Sequence, residues 1–113
     1  MTKDKWIWMP HAGHFIYGNW CRFHLFTYVG KYVVSTVGEY KSPRSKEGEF
    51  ETIGIDRLYE TMVFKAHKSN NKCCLYEASS YEDIDFNGYN TAEDAYRGHL
   101  KLCSKWSNLP PHT

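Results

Sequence analysis

One amphipathic helix pattern closes this chain, and nearly every patterned segment before it reads as strand. Ala92, Ala95, Tyr96, His99, Leu102, Cys103 and Trp106 recur at the helical period, leaving Glu93, Lys101 and Lys105 to face outward. Asn90 or Thr91 supplies the N-cap, Glu93 and Asp94 suit the positive end of the helix dipole, and Pro110-Pro111 stops the run after about Ser107. A lone helix with an apolar stripe has to bury that stripe, and a sheet is the only partner the upstream sequence offers.

The strands are legible in turn. Arg22 to Tyr28 and Tyr32 to Tyr40 are rich in Phe, Tyr, Val and Thr, and Val29-Gly30-Lys31 between them makes a hairpin. Leu58 to Ala66 puts Leu58, Met62 and Phe64 on one face and Tyr59, Thr61 and Val63 on the other, so it belongs in the middle of the sheet. His67 to Lys72 reads as a polar turn, Cys73 to Ala78 as a fourth strand and Asp83 to Phe86 as a fifth piece. Lys5 to Met9, stopped by Pro10, suits an edge strand or an arm, and Lys41 to Gly48 is a polar surface loop. The expected fold is α+β: an antiparallel sheet of four to five strands with the C-terminal helix across one face. At 113 residues it is a single domain, spanning 1–113.

Composition narrows the function classes. Net charge is +1, so bulk attraction to nucleic acid or a membrane is not built in, and no apolar run approaches the ~20 residues of a membrane span. Met1 to Lys5 is followed by only a short apolar run, Trp6 to Met9, which is not a signal peptide, so a cytoplasmic location is expected. There, Cys21, Cys73, Cys74 and Cys103 are thiols or metal ligands rather than disulfides. Aromatic residues make up 17% of the chain, a surplus that fills a small core or furnishes a contact face.

Several residue groups bear on chemistry. His11-x-x-His14 and Cys21-x-x-His24 stand near the N-terminus, and His99-x-x-x-Cys103 spans one turn of the helix. If the first hairpin packs beneath that helix, Cys21, His24, His99 and Cys103 could form a Cys2His2 zinc site, with His11 and His14 as substitutes. The alternative makes Cys21 and Cys103 small core hydrophobes and His99 a hydrogen-bonded core histidine. Strand alternation already groups His24 with Arg22, Phe26 and Tyr28 rather than with Cys21. A Cys/His nucleophile lacks any family signature, and no glycine-rich phosphate loop is present. Basic and aromatic residues interleave at Lys5 to Trp8, Arg22-Phe23, Lys31-Tyr32 and Lys41 with Arg44, but acidic residues interrupt each run.

The strings Met9 to Phe15, Cys21 to Leu25, Val34 to Tyr40, Tyr59 to Phe64, Gly88 to Asn90 and Tyr96 to Leu100 resemble a group of small uncharacterised bacteriophage and prophage proteins. The resemblance spans nearly the whole chain, which is shorter than that group between Tyr40 and Ile53. It implies a phage setting and brings no activity, cofactor or catalytic residue. The function this reading predicts is non-catalytic: binding that inhibits or modulates a host factor such as a defence complex. Its contact residues are Trp6, Trp8, Lys41, Arg44, Tyr81 and Asp83. A zinc-stabilised nucleic-acid-binding module is the alternative.

Overall fold

The computed structural model describes residues 6–9, 21–41, 52, 57–68, 76–79 and 82–107; for Met9, Cys21, Tyr76 and Glu77 it describes the backbone alone. Among these residues six strands and one helix follow in order: β1 Trp6–Met9, β2 Cys21–Val29, β3 Tyr32–Tyr40, β4 Tyr59–Lys68, β5 Tyr76–Ala78, β6 Asp85–Tyr89 and α1 Ala92–Ser107. All pairings are antiparallel, in the spatial order β1-β2-β3-β4. The far side of β4 is shared: β6 pairs with Tyr59–Val63 and β5 with Ala66–Lys68. β4 therefore runs on through His67 and Lys68, which the sequence reads as turn, because β5 supplies their ladder partners. The expected α+β sheet with one C-terminal helix is the observed architecture.

The β2–β3 turn is Gly30-Lys31, and Val29 pairs directly with Tyr32. Of these two turn residues only Gly30 takes a positive φ, 61°, as a type II′ turn requires at its first central position. The register then sorts the side chains. Phe23, Leu25, Thr27 and Val29 share the helix side with Tyr32, Val34 and Thr36 of β3 and with Tyr59, Thr61 and Val63 of β4. His24, Phe26 and Tyr28 share the opposite side with Val33, Ser35, Val37, Met62 and Phe64. Each side has its own core: Val29, Tyr32, Val34, Val63, Cys103 and Trp106 under the helix, and Phe26, Val33 and Phe64 on the reverse.

The helix begins where the sequence indicates, with Thr91 Oγ1 accepting the Asp94 N–H at 3.1 Å. Its buried side comprises Ala95, Gly98, His99, Cys103 and Trp106. Tyr96, expected in that stripe, is 53% exposed instead. The reason is Tyr89. Its ring end stands beneath Gly98, where any Cβ would overlap it, so the helix approaches β6 through a glycine and rolls Tyr96 outward. The Tyr89 hydroxyl is buried there with no hydrogen-bond partner among the described residues.

Asp85 clamps the other end of the helix to β6. Its Oδ2 accepts hydrogen bonds from Lys105 Nζ at 2.8 Å and Trp106 Nε1 at 2.9 Å, and Oδ1 accepts the Phe86 N–H at 2.9 Å. Burial alone would push this carboxyl up, but Lys105 and Trp106 outweigh it and hold the group below the ordinary carboxylate range. The clamp is therefore intact above that range and weakens as pH falls through the lowered pKa.

Two substitutions separate these contacts by urea unfolding. Asp85→Ala should cost about 1–3 kcal/mol, since it removes the acceptor of the buried Trp106 indole N–H and the ion-pair partner of Lys105. Tyr89→Phe should cost nothing or stabilise slightly, because the lost hydroxyl has no partner to forfeit. A loss above about 1 kcal/mol in Tyr89→Phe would mean that the hydroxyl is bonded in solution.

Candidate functional site

The polar residues at the centre of the fold meet under the middle of the helix. Thr36 and Thr61 are direct cross-strand neighbours on β3 and β4, and their hydroxyl oxygens lie 2.6 Å apart. Thr27 stands on the same side of β2. His99 comes down from the helix between them, with Nε2 2.8 Å from Thr27 Oγ1 and Nδ1 2.7 Å from Thr36 Oγ1. Thr36 and Thr61 are fully buried, and His99 is 3% exposed. Cys103, one turn further along the helix, hydrogen-bonds with Thr27 and packs with Val29, Val34 and Val63.

These five side chains form one chain of hydrogen bonds whose direction depends on the His99 tautomer. With the proton on Nε2, His99 donates to Thr27, whose hydroxyl turns to Cys103, while Thr61 donates to Thr36 and Thr36 donates to Nδ1. With the proton on Nδ1, every arrow reverses and Cys103 donates to Thr27. The Nε2-protonated ring pairs both ring nitrogens and all three threonine protons within the cluster, whereas the Nδ1-protonated ring leaves the Thr61 proton without an acceptor there, so the first tautomer is the one the cluster favours.

The chemistry follows from this closure. Burial pushes the His99 imidazole down to about 4, so the ring is neutral at physiological pH. Burial also pushes the Cys103 thiol up to about 12, against partial relief from Thr27, so a thiolate nucleophile is not available there. The cluster is a fastener between helix and sheet, in agreement with the core-histidine reading of His99 and Cys103.

The proposed zinc quartet does not assemble on this face. His24 pairs with Val37 on the side of the sheet away from the helix, so the sheet itself separates it from His99 and Cys103. Both His99 nitrogens are already committed to threonines. No group of three or more His, Cys, Asp or Glu side chains suited to a metal occurs among the described residues. The Cys21 side chain, His11, His14, Cys73 and Cys74 lie outside those described.

Of the predicted contact residues, Trp6 and Trp8 are 44% and 60% exposed, Asp83 is exposed and Lys41 is half-buried at the end of β3. Arg44 and Tyr81 lie outside the described residues. Trp6 pairs with Val29 and Trp8 with Thr27, which puts both indoles on the helix side of the outermost strand. The helix lies mainly over β3 and β4, reaching β2 and β6 at its flanks. Its β6 flank carries Asp94, Arg97, Gly98 and Lys101, so Tyr96 and Leu100, 53% and 37% exposed, occupy the flank toward β2 and β1. Between that flank and the two indoles, Phe23 and Leu25 are half-buried on the front of β2. The result is an apolar trough bordered by aromatic rings. Sequence reasoning missed Tyr96 and Leu100 as part of this surface, because helical periodicity assigns Tyr96 to the core unless the Tyr89–Gly98 contact is known.

The two sheet edges differ. On β6 the outward N–H groups of Phe86 and Gly88 are taken by the Asp85 and Asn87 side-chain oxygens, both at 2.9 Å. Side chains thus seal that edge against further strand pairing. Nothing among the described residues pairs with the outer edge of β1. No described helix is long and apolar enough to cross a membrane. Searches of protein-family models, curated proteins and solved structures find no match for this chain.

Two measurements test the fastener. Thr36→Val removes one hydroxyl and leaves both His99 Nδ1 and Thr61 short of a partner, so it should cost about 1–3 kcal/mol despite its matched volume. An unfolded imidazole titrates near 6.5 and His99 near 4, so between those values only the unfolded chain takes up the proton. Stability should be whole above pH 6.5 and should decline toward pH 4 by about 3 kcal/mol. His99→Gln should abolish this component. An identical pH slope in wild type and variant would remove His99 as its source.

Proposed function

We propose that this protein acts by binding, using the edge of β1 that is unpaired among the described residues, and the aromatic trough beside it, to occupy a protein partner. The observation that carries this reading is the pair Trp6 and Trp8, 44% and 60% exposed on one face of an edge strand. Large aromatics left in water at a strand edge are unfavourable in a free domain, and they are the residues that supply most of the binding energy when a surface is covered. An unpaired strand edge adds main-chain donors and acceptors for an incoming extended segment. The contrast with the sealed β6 edge supports β1 as the contact edge.

The buried cluster supports binding over catalysis as the role of this face. His99 and Cys103 are committed to one another's surroundings and are closed to solvent. The resemblance to small phage proteins favours a host factor, such as a defence complex, as the partner. In that setting the protein modulates its target by covering a functional surface.

The test is affinity capture from an extract of a bacterial host, with the whole chain as bait. Wild type should retain a discrete partner, and a Trp6→Ser/Trp8→Ser variant should lose it with its unfolding free energy changed by no more than about 0.5 kcal/mol. Equal retention by both baits would exclude β1 as the contact surface.

A further inference from the structure

The opposite flank of the helix has a different character. There an open cleft of about 600 Å³ runs between the helix and β6, of a size that holds a small organic ligand. Arg57 enters it from the chain just before β4, and Arg97 and Lys101 enter it from successive turns of the helix. Among the described residues Asp94 is the only carboxylate in its lining, against three cations. Arg97 bonds to Glu93, one turn back on the helix, with both side chains about 70% exposed. Arg57 and Lys101, both exposed, make no ion pair among the described residues, which leaves their charge available to an anion.

A second, smaller cleft of about 230 Å³ adjoins the first and shares Arg57, Asn87 and Gly88 with it. Its distinguishing member is Phe86, 58% exposed on β6, with Glu60 on β4 as its carboxylate. The backbone of Phe86 is anchored by Asp85, whose side chain accepts its N–H. Phe86 pairs with Met62 and so lies on the reverse face of β6, which places cationic donors on the helix side and a free aromatic ring on the other side of the sheet edge, with Arg57 lining both clefts. Guanidinium groups bind phosphate oxygens through paired N–H donors, and an aromatic ring takes the face of a base.

From this juxtaposition we propose that the two clefts form a nucleotide site, with phosphate held among Arg57, Arg97 and Lys101 and the base laid against Phe86. This site is independent of the Trp6–Trp8 surface and goes beyond the protein-binding reading. The shared ligand chemistry is a phosphate ester carrying a base, whether as a free nucleotide or within a single strand. The closed polar cluster under the helix plays no part in it.

Isothermal titration of the whole chain at low salt tests the site with three probes: inorganic pyrophosphate, ATP and a short single-stranded oligodeoxythymidylate. Pyrophosphate and ATP should both bind, ATP more tightly by about fivefold or more, the contribution of one stacked base. Lys101→Glu should weaken both by about tenfold or more through loss of a charge-assisted contact. Phe86→Ala should erase the advantage of ATP and leave pyrophosphate unchanged, a split that a folding defect would not produce. Tighter binding of the oligonucleotide than of ATP, sensitive to the same substitutions, would support the site and identify a strand as its source. No saturable binding of any probe at millimolar concentration, or binding that Lys101→Glu leaves undiminished, would overturn the proposal.

Discussion

A neutral histidine held between threonine hydroxyls fixes how the helix sits on the sheet. Apolar contact alone would let a helix slide or roll, because hydrophobic burial is not directional. His99 removes that freedom: its two ring nitrogens must meet Thr27 on β2 and Thr36 on β3 together, and Thr36 must meet Thr61 on β4. One residue thereby links three strands, and an error of register in any of them would leave a buried polar group unpaired. Trp106 and Asp85 fix the far end of the helix, and Gly98 over Tyr89 fixes its roll.

That placement divides the surface into two unlike halves. On the β6 flank the helix presents Arg97 and Lys101 above an edge whose outward N–H groups are already satisfied. On the β1 flank it presents Tyr96 and Leu100 toward Trp6 and Trp8, beside an edge unpaired among the described residues. The polar flank suits a small charged ligand and the apolar flank suits a macromolecule. The same helix roll that exposes Tyr96 creates the contact with Tyr89, so both surfaces follow from the seating of α1.

Local chemistry made much of the fold readable. Thr91 as cap, Gly30 at the hairpin turn and the two-faced pattern of β4 each rest on neighbours in sequence, and each reads correctly. His99 and Cys103 on the buried stripe are legible from period alone. What escaped were contacts between residues distant in sequence. Nothing local marks Tyr89 as the residue that displaces Tyr96, Asp85 as the acceptor for Trp106, or Arg57 as a neighbour of Lys101 across a cleft. For the zinc quartet the relevant rule is local: alternation along β2 assigns His24 to the face away from His99 and Cys103. The threonines that occupy His99 instead carry no motif, because a hydroxyl inside a strand reads as ordinary strand composition.

The most direct test of this account is the titration of the His99 imidazole followed by nuclear magnetic resonance, with His99→Gln for assignment. The account predicts a neutral ring throughout the range near neutrality, protonating only at about 4, with both nitrogens showing hydrogen-bonded shifts. An ordinary midpoint close to 6.5 would mean that the ring meets water, and that the helix is not fastened to the sheet as described.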